Sequence, residues 1–152
     1  MAGKKDYEPA MHTAEHILNQ TMIRILGCGR SFNAHIEKKK SKCDYHFDRP
    51  LTREEIVSVE EMVNRVIREN MPVTEHLILQ DEAEKRYFTG KLPADAGDRI
   101  RIVRVGDYDA CPCIGRHVRS TSEIGGFRIL STSHQRGVLR IRFILKSAAD
   151  AS

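Results

Sequence analysis

The sequence predicts an α+β fold, an antiparallel or mixed β-sheet backed by helices on one side. Three observations carry that reading. Two long segments repeat apolar residues at helical spacing. Several short segments alternate apolar and polar residues, as half-buried strands do. The order is α, ββ, α, β, α, β, ββ, with hairpin pairs that suit antiparallel neighbours.

From Met11 to Leu26, Ala14, Ile17, Leu18, Met22 and Ile25 fall on one helical face, and Gly27 and Gly29 end the pattern. Phe32–Ile36 and Cys43–Phe47 alternate around the lysine-rich turn Glu37–Lys42 and predict a hairpin. Thr52 and Glu55 form a capping box, the threonine accepting from the amide three residues on while the glutamate reaches back. A helix should follow to about Asn70, with Ile56, Val59, Met62, Val63, Val66 and Ile67 inward, until Asn70-Met71-Pro72 stops it. Val73–Leu79 predicts a strand whose apolar side is Val73, Leu77 and Leu79. Asp81–Tyr87 predicts a short helix with an acidic start, and 87–97 a loop. Ile100–Val105 alternates as a strand, and Asp107–Val118 is expected to be a loop carrying Cys, Pro and His. Phe127–Ser131 and Val138–Leu145 predict the last strands, with Gly137 at their turn. Residues 1–10 read as a flexible lead, 11–146 as a single domain and 147–152 as a tail.

A chain of 152 residues is long enough to bury one core. It has no run of about 18 apolar residues, and no apolar stretch follows the lysines of MAGKKDYEPA, so neither a membrane span nor a signal peptide is expected. The expected compartment is cytoplasmic. The charge of +4 permits a polyanionic partner without requiring one. Without a secretory signal, Cys28, Cys43, Cys111 and Cys113 point to metal binding rather than to disulfides.

The chemistry concentrates in two short motifs. His12-Thr-Ala-Glu-His16 places two imidazoles on one helix face, one turn apart. Cys113-Ile-Gly-Arg-His117 repeats that spacing with a thiolate and an imidazole. Together His12, His16, Cys113 and His117 make a borderline-soft donor set that suits Zn2+. Each pair by itself also fits a plain alternative, a solvated helix start or a buried cysteine. His12–His16 further fits the H-x-x-E-H pattern of inverted zinc peptidases, with Glu15 as general base. A third ligand would then come from the Glu54–Glu61 segment, and Cys113–His117 would be unexplained.

Taken in order, His12-Thr-Ala-Glu-His16-Ile-Leu, Cys113-Ile-Gly-Arg-His117-Val118 and Glu123-Ile-Gly-Gly-Phe-Arg-Ile129 resemble the editing domain shared by alanyl- and threonyl-tRNA synthetases. Thr121–Ile129 is similar to that domain's T-x-x-I-G-x-F-x-I segment, and Gly137-Val-Leu-Arg-Ile141 to its closing stretch. Phe47-Asp48-Arg49 before a capped helix fits as well. The resemblance covers about residues 11–146. Nothing resembles a synthetase catalytic core, so the expected match is the short form of the free-standing alanyl-tRNA editing proteins, the AlaX type.

The resemblance implies a zinc site in a cleft and hydrolysis, in trans, of the ester joining a wrong amino acid to its tRNA. Seryl-tRNA(Ala) is the chief implied substrate and glycyl-tRNA(Ala) a second one. It implies His12, His16, Cys113 and His117 as zinc ligands and places Ser31 where a hydroxyl would recognise the serine side chain. Glu15 and Cys111 depart from the pattern, Cys111 standing where an acidic residue is usual; Cys113 alone keeps the C-x-x-x-H spacing. Basic residues expected to meet tRNA phosphates are Arg116, Arg119 and Arg128 around the metal loop and Lys38, Lys39 and Lys40, with Lys42, on the first turn. Arg136, Arg140 and Arg142 lie nearer the end. The competing class is a non-catalytic, zinc-stabilised module that binds tRNA or a partner protein.

Overall fold

The computed structural model describes residues 8–79, 81 and 99–146. It contains α1 (Pro9–Leu26), β1 (Asn33–His35), β2 (Ser41–His46), α2 (Arg53–Arg68), β3 (Val73–Leu79), β4 (Arg99–Val105), β5 (Asp109–Pro112), a 3-10 turn at Thr121–Ile124, β6 (Gly126–Gln135) and β7 (Val138–Lys146). The α+β class holds. Among the described residues there are two sheets instead of one, both antiparallel, in the orders β1-β2-β7-β6 and β3-β4-β5. The helix expected at Asp81–Tyr87, the loop at 87–97 and the tail at 147–152 lie outside the described residues, apart from Asp81.

Both helices pack on one face of the four-stranded sheet. Ala14, Ile17, Leu18 and Met22 of α1 and Val59, Val63 and Val66 of α2 share a core with Cys43 and Tyr45 of β2 and Leu139, Ile141 and Phe143 of β7. The strand residues obey a period of two, which leaves Lys42, Asp44, Arg140 and Arg142 on the helix-free face. No described helix is long and apolar enough to cross a membrane.

Local chemistry sets the element ends. Helix α1 starts at Pro9, two residues before the expected Met11, because proline suits the first helical turn. It ends where Gly27 takes φ 69° and returns its amide to the Ile23 carbonyl. The predicted capping box of α2 is present, and Arg49 grips the Glu55 carboxylate at 2.7 and 2.8 Å. Its far end is closed by the buried Thr121 hydroxyl, which donates to the Val66 and Ile67 carbonyls and accepts from the Met71 amide. On its way, Asn64 exchanges two hydrogen bonds with the Phe127 backbone, and Glu60 accepts from the Ile129 amide. The helix thereby covers the edge strand β6. Arg136 and Gly137, at φ 52° and 78°, make the tight β6–β7 hairpin turn that matches strand twist.

Two strand expectations change. The inward side of β3 is not Val73, Leu77 and Leu79: Leu77 and Leu79 are 60% and 57% exposed. Its neighbour β4 buries Ile100 and Ile102, and their partners across the ladder are Ile78 and His76, so Ile78 joins that small core. The segment Asp107–Val118 is not all loop, because Asp109–Pro112 pairs with β4. Proline is tolerated there as the last residue of a strand at the sheet edge.

Candidate metal centre

Helix α1 delivers His12 and His16 from one buried face, one turn apart, as their spacing requires. The chain leaving β5 delivers Cys113 and His117 opposite them. Donor atoms of His12, Cys113 and His117 lie within 4.8 Å of one another. The His16 ring stands against His117, with centroids 4.5 Å apart. Its Nδ1 turns toward Cys111 Sγ at 3.2 Å and Asp109 Oδ2 at 3.6 Å. His16, Asp109 and Cys111 thus form a second compact group, all three buried.

The loop carrying Cys113 is tightly held. Arg101 donates to the Cys113 carbonyl at 2.8 Å and to the Gly115 carbonyl, and its own carbonyl accepts from the Cys113 amide. Thr13, one residue after His12, accepts from the Val118 amide and sits 3.0 Å from His117 Nδ1. That contact turns His117 Nε2 toward Cys113 Sγ, 3.4 Å away. Gly115 lies over His12 so closely that a Cβ there would stand 2.5 Å from His12 Nδ1. Any larger residue would push the loop off the helix.

The electrostatics separate the two groups. Burial opposes ionisation of the Cys113 thiol, but the imidazoles of His117, His12 and His16 around the sulfur prevail and hold its pKa down to about 3. Burial also lowers the pKa of His117. For His16, burial works against protonation, yet Cys111 and Asp109 outweigh it and raise the pKa well above the ordinary imidazole value. Asp109 stays ionised despite its burial, because His16 and Arg30 face it. Arg30 bonds both carboxylate oxygens, at 2.7 and 3.2 Å, and Gln20 donates to Oδ1 at 2.8 Å.

His12 has no such support. It is buried, and among the described residues neither ring nitrogen has a hydrogen-bond partner. An unpaired buried imidazole is costly and calls for an explanation. A buried imidazole with a donor nitrogen within 4.8 Å of the donor atoms of a thiolate-forming cysteine and a second imidazole is a metal-ligand arrangement by donor chemistry. The residues present therefore fit a zinc ion.

The other expected site residues fall around this centre. Ser31 is buried; its amide donates to Asn19 Oδ1 at 3.2 Å and its hydroxyl to Glu15 Oε2 at 3.5 Å. Asn19 Oδ1 also accepts from the Tyr45 hydroxyl at 2.8 Å, which fixes the amide. Ser31 thus reaches α1 at Glu15, between His12 and His16 in sequence, and not at the side chains of His12, Cys113 or His117. Arg116, Arg119, Arg128, Lys38, Lys39 and Lys40 are all exposed. Arg116 and Arg119 flank His117, Arg128 lies on β6, and the lysines lie on the β1–β2 turn, so the basic residues occupy separate places. Glu55 and Glu60, in the segment expected to supply a peptidase ligand, are held by the helix cap with Arg49 and by the β6 backbone. Sequence reasoning missed Asp109, Arg30, Thr13 and Arg101. The signal for Asp109 was its spacing of two from Cys111, which puts both on one side of β5.

Residues 100–142 match the family model described as the threonyl and alanyl tRNA synthetase second additional domain. Similarity to curated relatives extends further. The chain is 41% identical over 140 residues to an alanine–tRNA ligase of Aeropyrum pernix, covering 88% of this chain and 15% of the ligase. It is 36% identical over 135 residues to that of Fervidobacterium nodosum, covering 88% of this chain and 16% of the relative. For Halorubrum lacusprofundi the figures are 35% over 153 residues, 96% and 16%. The chain therefore spans about one sixth of the length of these relatives.

Proposed function

Because the chain carries the second additional domain of threonyl and alanyl tRNA synthetases and is homologous over most of its length to one segment of alanine–tRNA ligases, we propose that it is an editing deacylase for mischarged tRNA. Its chief substrate on this reading is seryl-tRNA(Ala), with glycyl-tRNA(Ala) second, and it acts as a single domain over about residues 11–146. The observation that carries the proposal is the buried His12 imidazole, without a hydrogen-bond partner among the described residues, packed against Cys113 and His117, which lie inside the stretch that matches the family model.

His12, His16, Cys113 and His117 are the proposed zinc-binding side chains. Bound there, zinc would supply Lewis acidity toward an ester carbonyl or a water molecule. Three protein donors leave a tetrahedral ion one open position, whereas four close it. His16 is the donor that decides between these, since Asp109 and Cys111 already hold its Nδ1 side.

The remaining chemistry belongs to the chain. An aminoacyl ester needs a positioned water, a place for the substrate ammonium and a group that recognises the side chain. Glu15, half-buried beside Ser31, offers a carboxylate to the ammonium. Ser31, its backbone amide held by the Asn19 side chain that Tyr45 fixes and its hydroxyl beside Glu15, offers a hydrogen bond to a serine side chain. Alanine offers no hydroxyl to make that bond, which is how such a site favours serine over it.

The test is release of amino acid from seryl-, glycyl- and alanyl-tRNA(Ala) by the wild-type chain and by Ser31→Val. Wild type should free serine, free glycine more slowly and leave alanyl-tRNA intact. Ser31→Val should lose about tenfold of the serine-over-alanine preference, the scale of one buried hydrogen bond. No release of serine, with zinc bound, would favour the non-catalytic module instead.

A further inference from the structure

The helix-free face of the four-stranded sheet carries two neighbouring cross-strand rows of opposite character. One row is Asn33, Asp44, Arg140 and Ser133, and it is neutralised: Arg140 grips Asp44 with bonds of 2.7 and 3.0 Å. The next row is His35, Lys42, Arg142 and Ser131. Here Lys42 and Arg142 stand directly opposite one another, both half-buried, with no ion-pair partner among the described residues. Like charges placed face to face cost stability. They also line an open cavity of about 290 Å³ with His35, Glu37, Lys40 and Ser41. Its single carboxylate, Glu37, is bonded to His35 at 2.8 Å.

Strand β2 holds a second exposed feature. The rings of Phe32 and His46 stack 3.9 Å apart and 9° from parallel, and Phe32 is 42% exposed. His46 and Lys42 project from the same face of β2, being four residues apart, or about 13 Å at about 3.3 Å per residue. Phe32 also follows Ser31 directly. A guanidinium fork beside an ammonium is phosphate chemistry, and a flat exposed ring pair is a stacking surface for a base.

We propose that the Lys42–Arg142 pocket binds a backbone phosphate of an RNA strand, which lies along β2 with a base against the Phe32–His46 pair. The proposal rests on the reading of the substrate as tRNA and assigns where its strand crosses the protein. An anion seated between the two side chains relieves the like-charge opposition across β2 and β7, which the Asp44 carboxylate offsets in part from the next row.

The experiment compares the double variant Lys42→Gln/Arg142→Gln with the charge-matched Arg65→Gln/Arg68→Gln on the exposed side of α2. Binding of uncharged tRNA is measured at several salt concentrations, binding of inorganic phosphate is followed by NMR, and thermal stability is recorded. The pocket variant should lose about tenfold in RNA affinity, and its log–log salt slope should flatten by about one, the effect of one lost phosphate contact. The α2 variant should keep the wild-type slope. The melting temperature of the pocket variant should stay level or rise as the repulsion goes. Equal losses in both variants, or an unchanged slope, would overturn the pocket; so would loss of phosphate binding with no loss of RNA affinity, which would make it a small-anion site only. Uncharged tRNA separates this test from the deacylase reading. Specific RNA binding without serine release would sink the enzyme and spare the pocket, while normal editing by the pocket variant would sink the pocket alone.

Discussion

The two buried groups at the centre differ in what they lack. Around His16, the carboxylate of Asp109 answers the imidazole, Arg30 and Gln20 answer Asp109, and every charge has a partner. Around His12, two imidazoles meet a cysteine whose pKa they hold down, and among the described residues neither His12 nitrogen has a hydrogen-bond partner. The same residue types therefore make a finished support in one place and an unfinished donor set in the other. Donor count alone does not distinguish the two groups; unmet hydrogen-bonding capacity does. The support also has a role toward the donors, since a carboxylate behind a ligating histidine fixes its ring and its basicity.

Substitutions on the two sides should separate by size. Cys113→Ala and His12→Ala should each abolish tight zinc binding, measured by metal analysis after dialysis, and cut seryl-tRNA deacylation by about a hundredfold or more. Full activity of either variant without metal would break the distinction. Asp109→Asn should weaken zinc by about tenfold, at the low end for an outer partner of a histidine ligand. It also strands Arg30, whose side chain is only 16% exposed, at a cost of about 3 kcal/mol, so thermal melting must accompany the assay. Cys111→Ser should have the smallest effect, with zinc retained at unit stoichiometry. If Cys111→Ser instead lost zinc while Cys113→Ser kept it, the roles of the two groups would be reversed.

How much of this was legible in the sequence follows from the range of the interactions involved. His12 and His16 were visible because a helix converts a spacing of four into a shared face. The start of α2 was visible because Thr52 and Glu55 cap within one turn, and the β6–β7 hairpin because Gly137 marks its turn. Asp109 was hidden by local composition: a short strand that ends in Cys-Pro looks like loop, and its period of two shows only once β4 pairs with it. Arg30 was hidden for a different reason. Its partner is distant in sequence, and no local pattern records a buried ion pair. The division into two sheets, and with it the inward side of β3, depends on which strands pair, which alternation alone does not state. Leu77 and Leu79 satisfied the pattern and still ended exposed.

The most direct measurement of the central claim is seryl-tRNA(Ala) deacylation by the chain stripped of metal with a chelator and then titrated with zinc. The account predicts that activity falls to background on stripping and returns in proportion to zinc, reaching its plateau at one ion per chain. Undiminished activity in the stripped chain, or a reloaded chain that binds one zinc and frees no serine, would contradict it.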